Sequence, residues 1–131
     1  MKCYNINMVI RESEEMYLET ILLLKNENSS VRSVDIVDKL GYAKSSVSRG
    51  VNLLKKNGYI TIDQETGVIN FTDEGRKKAL NIYERHRVFT DVLIKIGASK
   101  ELAEDNACRI EHVVSDEMYD IIKNFIDEHK E

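Results

Sequence analysis

The chain has 131 residues, with 19 Lys and Arg against 23 Asp and Glu, so its formal net charge is −4 and its pI is about 5.5. This length suits one domain or two small lobes that share a core, and a content of 42% hydrophobic and 32% charged residues excludes an intrinsically disordered or membrane-spanning chain. No apolar run approaches the roughly 20 residues of a transmembrane helix, and the N-terminal residues lack the apolar core of a secretory signal. Two cysteines 105 positions apart do not make a disulfide framework, so we expect a reducing, cytoplasmic setting.

The acidic total is unevenly distributed along the chain. Residues 30–59 carry six basic and two acidic side chains, a net charge of +4, whereas residues 98–131 carry four basic and ten acidic side chains, a net charge of −6. A basic second quarter and an acidic last quarter indicate separate roles for the two ends. Two ordinary solvated surfaces would give the same counts, so charge alone leaves both interpretations open.

The first half of the chain predicts three helices. The first covers residues 13–25, with Ser13 as its N-cap and two glutamates in the first turn. The second is short, because it begins at Ser33 and stops at Gly41. The third covers residues 44–57 and is followed by another glycine.

A two-stranded hairpin is expected after the third helix. The runs YITID and GVINF are short and rich in β-formers, and residues 64–67 between them have the composition of a turn. Helix, short turn, helix and hairpin in this order form a winged helix-turn-helix unit, in which the third helix enters the major groove of DNA. The sequence therefore predicts a DNA-binding N-terminal half.

Three more helices are expected after the hairpin. Thr72 is the predicted N-cap of a long helix that reaches about Ile96. Ser99 is the predicted N-cap of the next helix, which extends to about Val114, and Ser115 caps the last one. The complete order predicts a mainly α fold.

The third helix has a polar face that is available for DNA. Val47, Val51 and Leu54 take the core side, which leaves the opposite side polar. Small hydroxyls allow a close approach to the sugar-phosphate backbone, an arginine can reach a guanine edge, and lysines add phosphate contacts. The same face would also suit the solvated side of a surface helix or a protein-binding surface. The predicted DNA-binding residues are Lys44, Ser45, Ser46, Ser48, Arg49, Asn52, Lys55 and Lys56.

Four side chains with metal-ligand chemistry fall on one side of the helix expected around residue 108. They stand at positions i, i+4, i+7 and i+8, within roughly 100° of the helix surface. An apolar stripe lies beside them, so they line the edge of a core, where a bound cation would offset the cost of burying their charges. These residues are Glu104, Cys108, Glu111 and His112.

Simpler interpretations exist for the same residues. A lone cysteine in a helix, such as Cys108, is usually a small hydrophobic residue, and a glutamate next to a histidine is often exposed. His86 lies on an apolar stripe of the long helix, where a histidine is more often a hydrogen-bonded core residue than a ligand. Met16, taken alone, would be assigned to the core.

Longer motifs resemble a known family. The string ACRIEHVVSDEM over residues 107–118, with EMYLETI over 15–21 and ERHR over 84–87, is similar to the diphtheria toxin repressor and manganese transport regulator family. The resemblance runs from about Ser13 to His129 in matching order. Members of that family are dimeric, metal-activated winged-helix repressors.

The resemblance implies a primary metal site. Iron-type members use a methionine of the first helix and a cysteine, a glutamate and a histidine of the fifth, and Met16, Cys108, Glu111 and His112 occupy those positions. Manganese-type members have acidic residues in place of the methionine and the cysteine. Thioether and thiolate ligands favour Fe2+, Co2+, Ni2+ or Zn2+ over the harder Mn2+. We therefore expect Fe2+ as the activator and keep the other four ions as candidates.

The resemblance implies a less regular second site. His86 matches a ligand of both branches, whereas Thr90 stands where iron-type members have an acidic residue. Glu104 stands where they have a histidine, and Glu19 matches a second-site ligand of the manganese branch. The expected second site is a hybrid of Glu19, His86 and Glu104.

The resemblance also implies the organisation of the chain. It predicts a winged helix-turn-helix DNA-binding domain over residues 1–72 and a helical metal-binding and dimerisation domain over residues 73–131. The compact two-domain form, without an SH3-like third domain, is expected, and Met8 is an alternative start. The apolar positions expected at a homodimer surface are Ile121, Ile122, Phe125 and Ile126.

Together these patterns predict a metal-activated repressor that binds a palindromic operator in double-stranded DNA as a homodimer, with no membrane partner. The main alternative is a winged-helix regulator that senses an organic ligand or the oxidation of Cys108. A winged helix that binds only proteins is a second alternative. An enzyme is not expected, because the sequence contains no Gly-rich phosphate loop, nucleophile elbow or HExxH motif.

Overall fold

The computed structural model describes the backbone of residues 10–129 and the side chains of residues 14–129. In this part of the chain no helix is both long and apolar enough to span a bilayer. The alternative start, Met8, lies outside the described residues. The elements in chain order are α1 (Ile10–Glu27), α2 (Ser33–Leu40), α3 (Lys44–Lys56), β1 (Ile60–Ile62), β2 (Ile69–Phe71), α4 (Asp73–Lys95), α5 (Lys100–Ile110) and α6 (Asp116–Glu128).

Contacts between Cα atoms divide the chain inside α4, between Asn81 and Ile82. We refer to residues 10–81 as the N-terminal unit and to residues 82–129 as the C-terminal unit. The predicted domain boundary after residue 72 coincides with the start of α4 and stays a prediction.

The N-terminal unit is a winged helix-turn-helix, as the sequence predicts. α1, α2 and α3 pack together, and the wing is an antiparallel pair in which Ile60 lies opposite Phe71 and Ile62 opposite Ile69. The backbone N–H of Ile69 also donates to the carbonyl of Val31 at 2.7 Å, which ties the wing to the chain just before α2. The largest fully buried apolar side chains of this unit are Leu18, Ile21, Ile36, Leu54, Ile60 and Ile69.

The ends of α2 and α3 agree with the prediction to within one residue, but the start of α1 does not. α2 stops at Leu40 because Gly41 takes a left-handed backbone conformation, with φ of 71°. α1 begins at Ile10 and not at Ser13, so the prediction of Ser13 as an N-cap was wrong. Residues 10–27 include neither Pro nor Gly, so nothing in that segment interrupts the helix.

The turn of the wing is built around Asp63. Its carboxylate accepts hydrogen bonds from the backbone N–H groups of Glu65 (2.8 Å) and Thr66 (2.9 Å), and these bonds lower the pKa of the Asp63 carboxyl. Gly67 completes the turn with φ of 75°, and its N–H donates to the carbonyl of Asp63 at 2.8 Å. The predicted hairpin turn is confirmed.

The first turns of α4 belong to the N-terminal unit. Thr72 caps the helix as predicted, because its hydroxyl oxygen accepts from the N–H of Gly75 at 3.1 Å, and the same hydroxyl donates to the carbonyl of Gly58 at 2.6 Å. A Cβ on Gly75 would lie 1.8 Å from the carbonyl oxygen of Tyr59. Only glycine therefore allows the backbone of α4 to approach so closely to the start of the wing.

The C-terminal unit has a small core. Phe89 of α4, Ala107 of α5 and Tyr119 of α6 are its buried centre, and the two rings lie 6.0 Å apart between centroids. The hydroxyl oxygens of Ser99 and Ser115 accept hydrogen bonds from the first turns of α5 and α6, so both predicted N-caps are confirmed.

α5 is shorter than predicted, because it ends at Ile110 and not near Val114. Ser115 adopts the extended conformation that an N-cap of α6 requires, with ψ of 156°, so the helix before it must stop. Two consecutive β-branched valines precede Ser115 and are weak helix formers. Glu111 and His112 consequently lie just after α5, in the segment that leads to α6.

Candidate metal centre and nucleic-acid interface

α3 presents the polar face that the sequence predicts. Val47, Val51 and Leu54 are buried on its core side. Of the eight predicted DNA-binding residues, only Ser46 is half-buried. The exposed ones are Lys44, Ser45, Ser48, Arg49, Asn52, Lys55 and Lys56.

Hydrogen bonds on this face are long. The guanidinium of Arg49 lies 3.4 Å from the hydroxyl of Ser46, and the amide of Asn52 lies 3.4 Å from the hydroxyl of Ser48. Bonds of this length are weak, so little energy opposes the exchange of these partners for phosphate or base atoms. The face can therefore serve as a nucleic-acid interface.

A close contact with α1 supports the buried side of α3. The ring of Tyr17 lies against Gly50, where a Cβ would be 2.2 Å from Cε2 of the ring, and the Tyr17 hydroxyl donates to the carbonyl of Ser46 at 3.4 Å. This contact was not predicted from the sequence. The one sequence feature that could have indicated the contact is Gly50, an isolated glycine in the middle of a predicted helix.

Three metal-ligating side chains meet in the C-terminal unit. One ligand atom from each of His86 on α4, Cys108 on α5 and Glu111 after α5 lies within 4.8 Å of the other two. Nδ1 of His86 is 2.9 Å from Oε2 of Glu111 and 3.5 Å from Sγ of Cys108. All three residues are buried.

The carboxylate of Glu111 stands between two imidazoles. Its Oε2 faces His86, and its Oε1 lies 3.3 Å from Nε2 of His112. Among the described residues no hydrogen-bond donor reaches Oε1, although Glu111 is only 1% exposed. A carboxylate buried to this extent needs a cation beside it, and a divalent metal ion suits a site made of thiolate, carboxylate and imidazole.

Cys108 is fully buried and disulfide-bonded in this structure, which differs from the reduced cysteines expected from the sequence. A thiolate ligand at this position therefore requires the reduced protein, because a disulfide sulfur has no negative charge to offer a metal ion. The side chains of this unit that could hold a metal ion are His86, Cys108 as a reduced thiolate and Glu111, with His112 beside the carboxylate of Glu111.

The other predicted ligands lie elsewhere. Glu104 is half-buried on α5 and does not belong to the group formed by His86, Cys108 and Glu111. Met16 and Glu19 are buried on α1, in the N-terminal unit, where Sδ of Met16 accepts a hydrogen bond from the hydroxyl of Tyr42 at 3.6 Å.

The grouping of His86 with Cys108 and Glu111 differs from the partition expected from the sequence, which assigns His86 to a second site. In the sequence, His86 lies on the apolar stripe of α4, and such a position is typical of a structural histidine as well as of a buried ligand. Thr90, four residues later, bonds its hydroxyl to the carbonyl of His86 at 2.8 Å and so is engaged within the helix.

Two of the four residues of the predicted dimer surface are exposed, and the other two are partly or fully buried. Ile121 and Phe125 are 56% and 57% exposed on α6, whereas Ile126 is buried and Ile122 is half-buried against the core of the C-terminal unit. Met118 is also exposed and shares the face of Ile121 and Phe125. We refer to Met118, Ile121 and Phe125 as the exposed α6 face.

Two family models match the chain. Residues 10–68 match the iron-dependent repressor N-terminal DNA-binding domain, and residues 72–131 match the iron-dependent repressor metal-binding and dimerisation domain. The two matches together cover most of the chain, in the order that the sequence predicts.

Known relatives agree with the family models. The transcriptional regulator MntR of Escherichia coli is 34% identical over 119 residues, which are 91% of this chain and 76% of the relative. The diphtheria toxin repressor of Corynebacterium glutamicum is 32% identical over 108 residues, which are 82% of this chain, and the chain spans about half of that longer protein (47%).

A solved structure has the same fold. A manganese-dependent transcriptional repressor in complex with manganese superposes with a TM-score of 0.78 and 25% identity, covering 87% of this chain and 52% of that one. Members of the matched family are transcriptional repressors and not enzymes, in agreement with the sequence prediction. The chain belongs to the iron-dependent repressor family, the metal-dependent transcriptional repressors that include diphtheria toxin repressor and MntR.

Proposed function

We propose that this chain is a cytoplasmic repressor whose binding to a palindromic operator is activated by Fe2+. The observation that carries the proposal is the buried group of His86, Cys108 and Glu111, in a chain whose α3 presents an exposed polar face. Mn2+, Co2+, Ni2+ and Zn2+ are the competing activators. A DNA-binding regulator acts where the DNA is, which favours the cytoplasm.

The ligand chemistry supports iron over manganese. A reduced Cys108 offers a soft thiolate, and Met16 offers a thioether, while Mn2+ prefers carboxylate and carbonyl oxygens. Both ligands stand at positions where manganese-type relatives are expected to carry acidic residues. Selection by the cell also depends on metal availability, so the preference is a chemical one.

We assign two sets of ligands. The primary site consists of Met16, Cys108, Glu111 and His112, and the distances around Glu111 support the last three. The second site consists of Glu19, His86 and Glu104, and the approach of His86 to Glu111 suggests that the two sites share this carboxylate. A bound divalent cation would neutralise the buried carboxylate and hold the imidazoles and the thiolate in fixed positions.

DNA binding requires two copies of α3 at a fixed spacing. In a homodimer built through the exposed α6 face, each N-terminal unit would offer its α3 to one half-site of the operator. The metal can activate only to the extent that it binds the DNA-competent state more tightly than the other states. Ligands drawn from α1 and from the C-terminal unit would give it that preference.

A parallel titration tests this proposal. The reduced protein is titrated with Fe2+, Mn2+, Co2+ and Zn2+ under anaerobic conditions, and the binding of a DNA site selected from a random pool is measured for each ion. We expect Fe2+ and its surrogate Co2+ to activate binding at lower free concentrations than Mn2+. Activation by Mn2+ alone would contradict the assignment of iron, and equal DNA binding without any metal would contradict metal activation.

The disulfide at Cys108 favours one second candidate, a regulator that senses thiol oxidation. In that case the DNA affinity would change with the oxidation state of Cys108 in a metal-free, chelator-treated sample. Elemental analysis of the purified protein, followed by a thiol-oxidation assay, separates the two candidates. A protein that contains no metal and responds only to oxidant would support the second.

A further inference from the structure

Arg85 is a nearly buried guanidinium next to the proposed ligand His86 on α4. Its side chain is only 11% exposed, although arginine is usually a surface residue. We refer to residues 111–115, which join α5 to α6, as the connector. The connector carries Glu111 and His112 at its start.

The guanidinium of Arg85 makes its contacts with the connector and with the first turn of α6. One nitrogen, Nη1, donates to Oδ1 of Asp116 at 2.9 Å, and the other, Nη2, donates to the carbonyl of Val114. The guanidinium also lies over the ring of Tyr119, with 5.1 Å between its carbon and the ring centroid. One side chain of α4 therefore binds the connector at Val114 and the start of α6 at Asp116, through a forked pair of charge-assisted hydrogen bonds.

The backbone N–H groups at the start of the connector bond to α5. The N–H of Glu111 donates to the carbonyl of Ala107, and those of Val113 and Val114 both donate to the carbonyl of Ile110. These bonds continue the last turn of α5, but they do not set the distance between the connector and α4. Arg85 adds a directional polar link between the two elements, one residue before His86, beside the contact of His86 with Glu111 and the packing of Val114 against the core.

A metal site that draws ligands from α4 and from the connector depends on this distance. The ligand atoms of His86 and Glu111 lie 2.9 Å apart across the two elements, and metal–ligand bonds tolerate deviations of only about 0.2 Å. We propose that Arg85 is a positioning residue of the metal centre, which holds the connector so that Glu111 and His112 of the proposed primary site keep ligating positions beside Cys108 and beside His86 of the proposed second site. This inference rests on the proposed function, because it requires that these residues bind a metal.

Two substitutions of Arg85 and one control test the role. Arg85→Met removes both hydrogen bonds and keeps most of the apolar bulk, and Arg85→Lys keeps the charge but cannot bond the carbonyl and the carboxylate in a fork. Lys123→Met is the matched control, because Lys123 pairs with Glu84 and so also joins α6 to α4, without touching the connector.

The readouts are Co2+ affinity and the visible spectrum of bound Co2+ in the reduced full-length protein, with circular dichroism as the check of folding. Loss of a residue that orients metal ligands typically lowers metal affinity 10–100-fold. We expect a loss in this range and a shifted Co2+ spectrum for Arg85→Met, a smaller loss for Arg85→Lys, and an unchanged affinity and spectrum for Lys123→Met. A merely structural contact would lower the melting temperature without moving the spectrum of the bound ion.

Each outcome supports or overturns the positioning role of Arg85. A folded Arg85→Met protein with the affinity and spectrum of the wild type would overturn the positioning role, while leaving the metal site intact. If Arg85→Met does not fold, Arg85→Lys decides in the same way, since unchanged Co2+ binding overturns the role and weakened binding with an altered spectrum supports it. A wild-type protein that binds no Co2+ would instead overturn the proposed function itself, before any variant is compared.

Discussion

Glu111 is the residue on which the chemistry of the C-terminal unit depends. Its two carboxylate oxygens face different imidazoles, at 2.9 Å for His86 and 3.3 Å for His112, and the side chain is buried. A buried carboxylate is costly unless a positive group lies beside it, and either a protonated histidine or a metal ion can provide that charge. The arrangement therefore favours a cation at this point of the unit.

In a comparison with the reduced wild-type protein, Cys108→Ala should reduce metal binding without unfolding the protein. Cys108 is fully buried next to His86, and alanine removes the thiolate while leaving an acceptable apolar residue in α5. We expect Co2+ affinity to fall by about tenfold or more, and the thiolate charge-transfer band of bound Co2+ to disappear. The matched control is Thr90→Val, since Thr90 is buried near His86 but bonds only its carbonyl. Equal Co2+ affinity of Cys108→Ala and the wild type would refute Cys108 as a ligand.

Arg49→Ala should reduce sequence discrimination, whereas Lys56→Ala should reduce affinity for every DNA. A guanidinium that bonds a guanine edge in two places contributes about 1–3 kcal/mol of discrimination, and a lysine on a phosphate contributes about one unit of the salt slope. The two residues are exposed on the same helix, so each variant is the control of the other. The measurement is the ratio of affinities for a selected site and for random DNA. A uniform loss in Arg49→Ala would reassign Arg49 to a phosphate contact.

Among the helices and strands, the features that depend on local sequence could be predicted. The hairpin, the glycine that ends α2 and the caps Thr72, Ser99 and Ser115 were correct because each depends on a few neighbouring residues. The start of α1 and the end of α5 were wrong by three or four residues.

The site was harder to predict than the elements. The spacing of Cys108 and Glu111 along the chain is enough to group these two residues. His86, however, precedes Cys108 by 22 positions and Glu111 by 25, and only the fold brings it to them. The single sequence carries no signal for such a distance, because apolar stripes bury structural and ligating histidines alike. The close contacts of Gly50 with Tyr17 and of Gly75 with Tyr59 were not predicted for the same reason.

Gly75→Ala should destabilise the N-terminal unit more than Gly50→Ala does. Alanine gains about 1 kcal/mol of helix propensity at either site. The new Cβ would lie 1.8 Å from a backbone carbonyl oxygen at Gly75 and 2.2 Å from the buried side chain of Tyr17 at Gly50. We expect a net loss of about 2 kcal/mol for Gly75→Ala and a smaller net loss of about 1 kcal/mol for Gly50→Ala, because a side chain yields more readily than the backbone. Urea unfolding measures both, and a Gly75→Ala protein as stable as the wild type would contradict the close approach of α4.

For the whole molecule, the net charge of −4 is the sum of a basic segment and an acidic segment that lie in different domains. The segment that includes α3 has a net charge of +4, and the segment that includes α5 and α6 has a net charge of −6. The basic segment belongs to the DNA-binding domain of the family and the acidic one to its metal-binding and dimerisation domain. Glu104 and Glu111, which are part of the acidic excess, are among the proposed ligands.

Ile121→Lys should prevent dimerisation. Ile121 is central to the exposed α6 face, and a lysine there would place a charge in an apolar interface. We expect a monomer in light scattering and a weaker binding of palindromic DNA by tenfold or more, since about 1.4 kcal/mol of lost interface energy already gives that factor. Asp127→Lys, on the polar side of the same helix, is the control and should remain dimeric. A dimeric Ile121→Lys protein would move the interface away from this face.

The most direct test of the account is the affinity of one DNA site for the reduced protein with and without metal. The site is selected from a random pool by the metal-loaded protein, and its dissociation constant is measured at saturating Fe2+ and again after excess chelator at the same salt concentration. We expect at least a tenfold tighter complex with metal, which corresponds to about 1.4 kcal/mol of coupling and is reversed by the chelator. Equal dissociation constants in the two conditions would contradict metal activation of DNA binding.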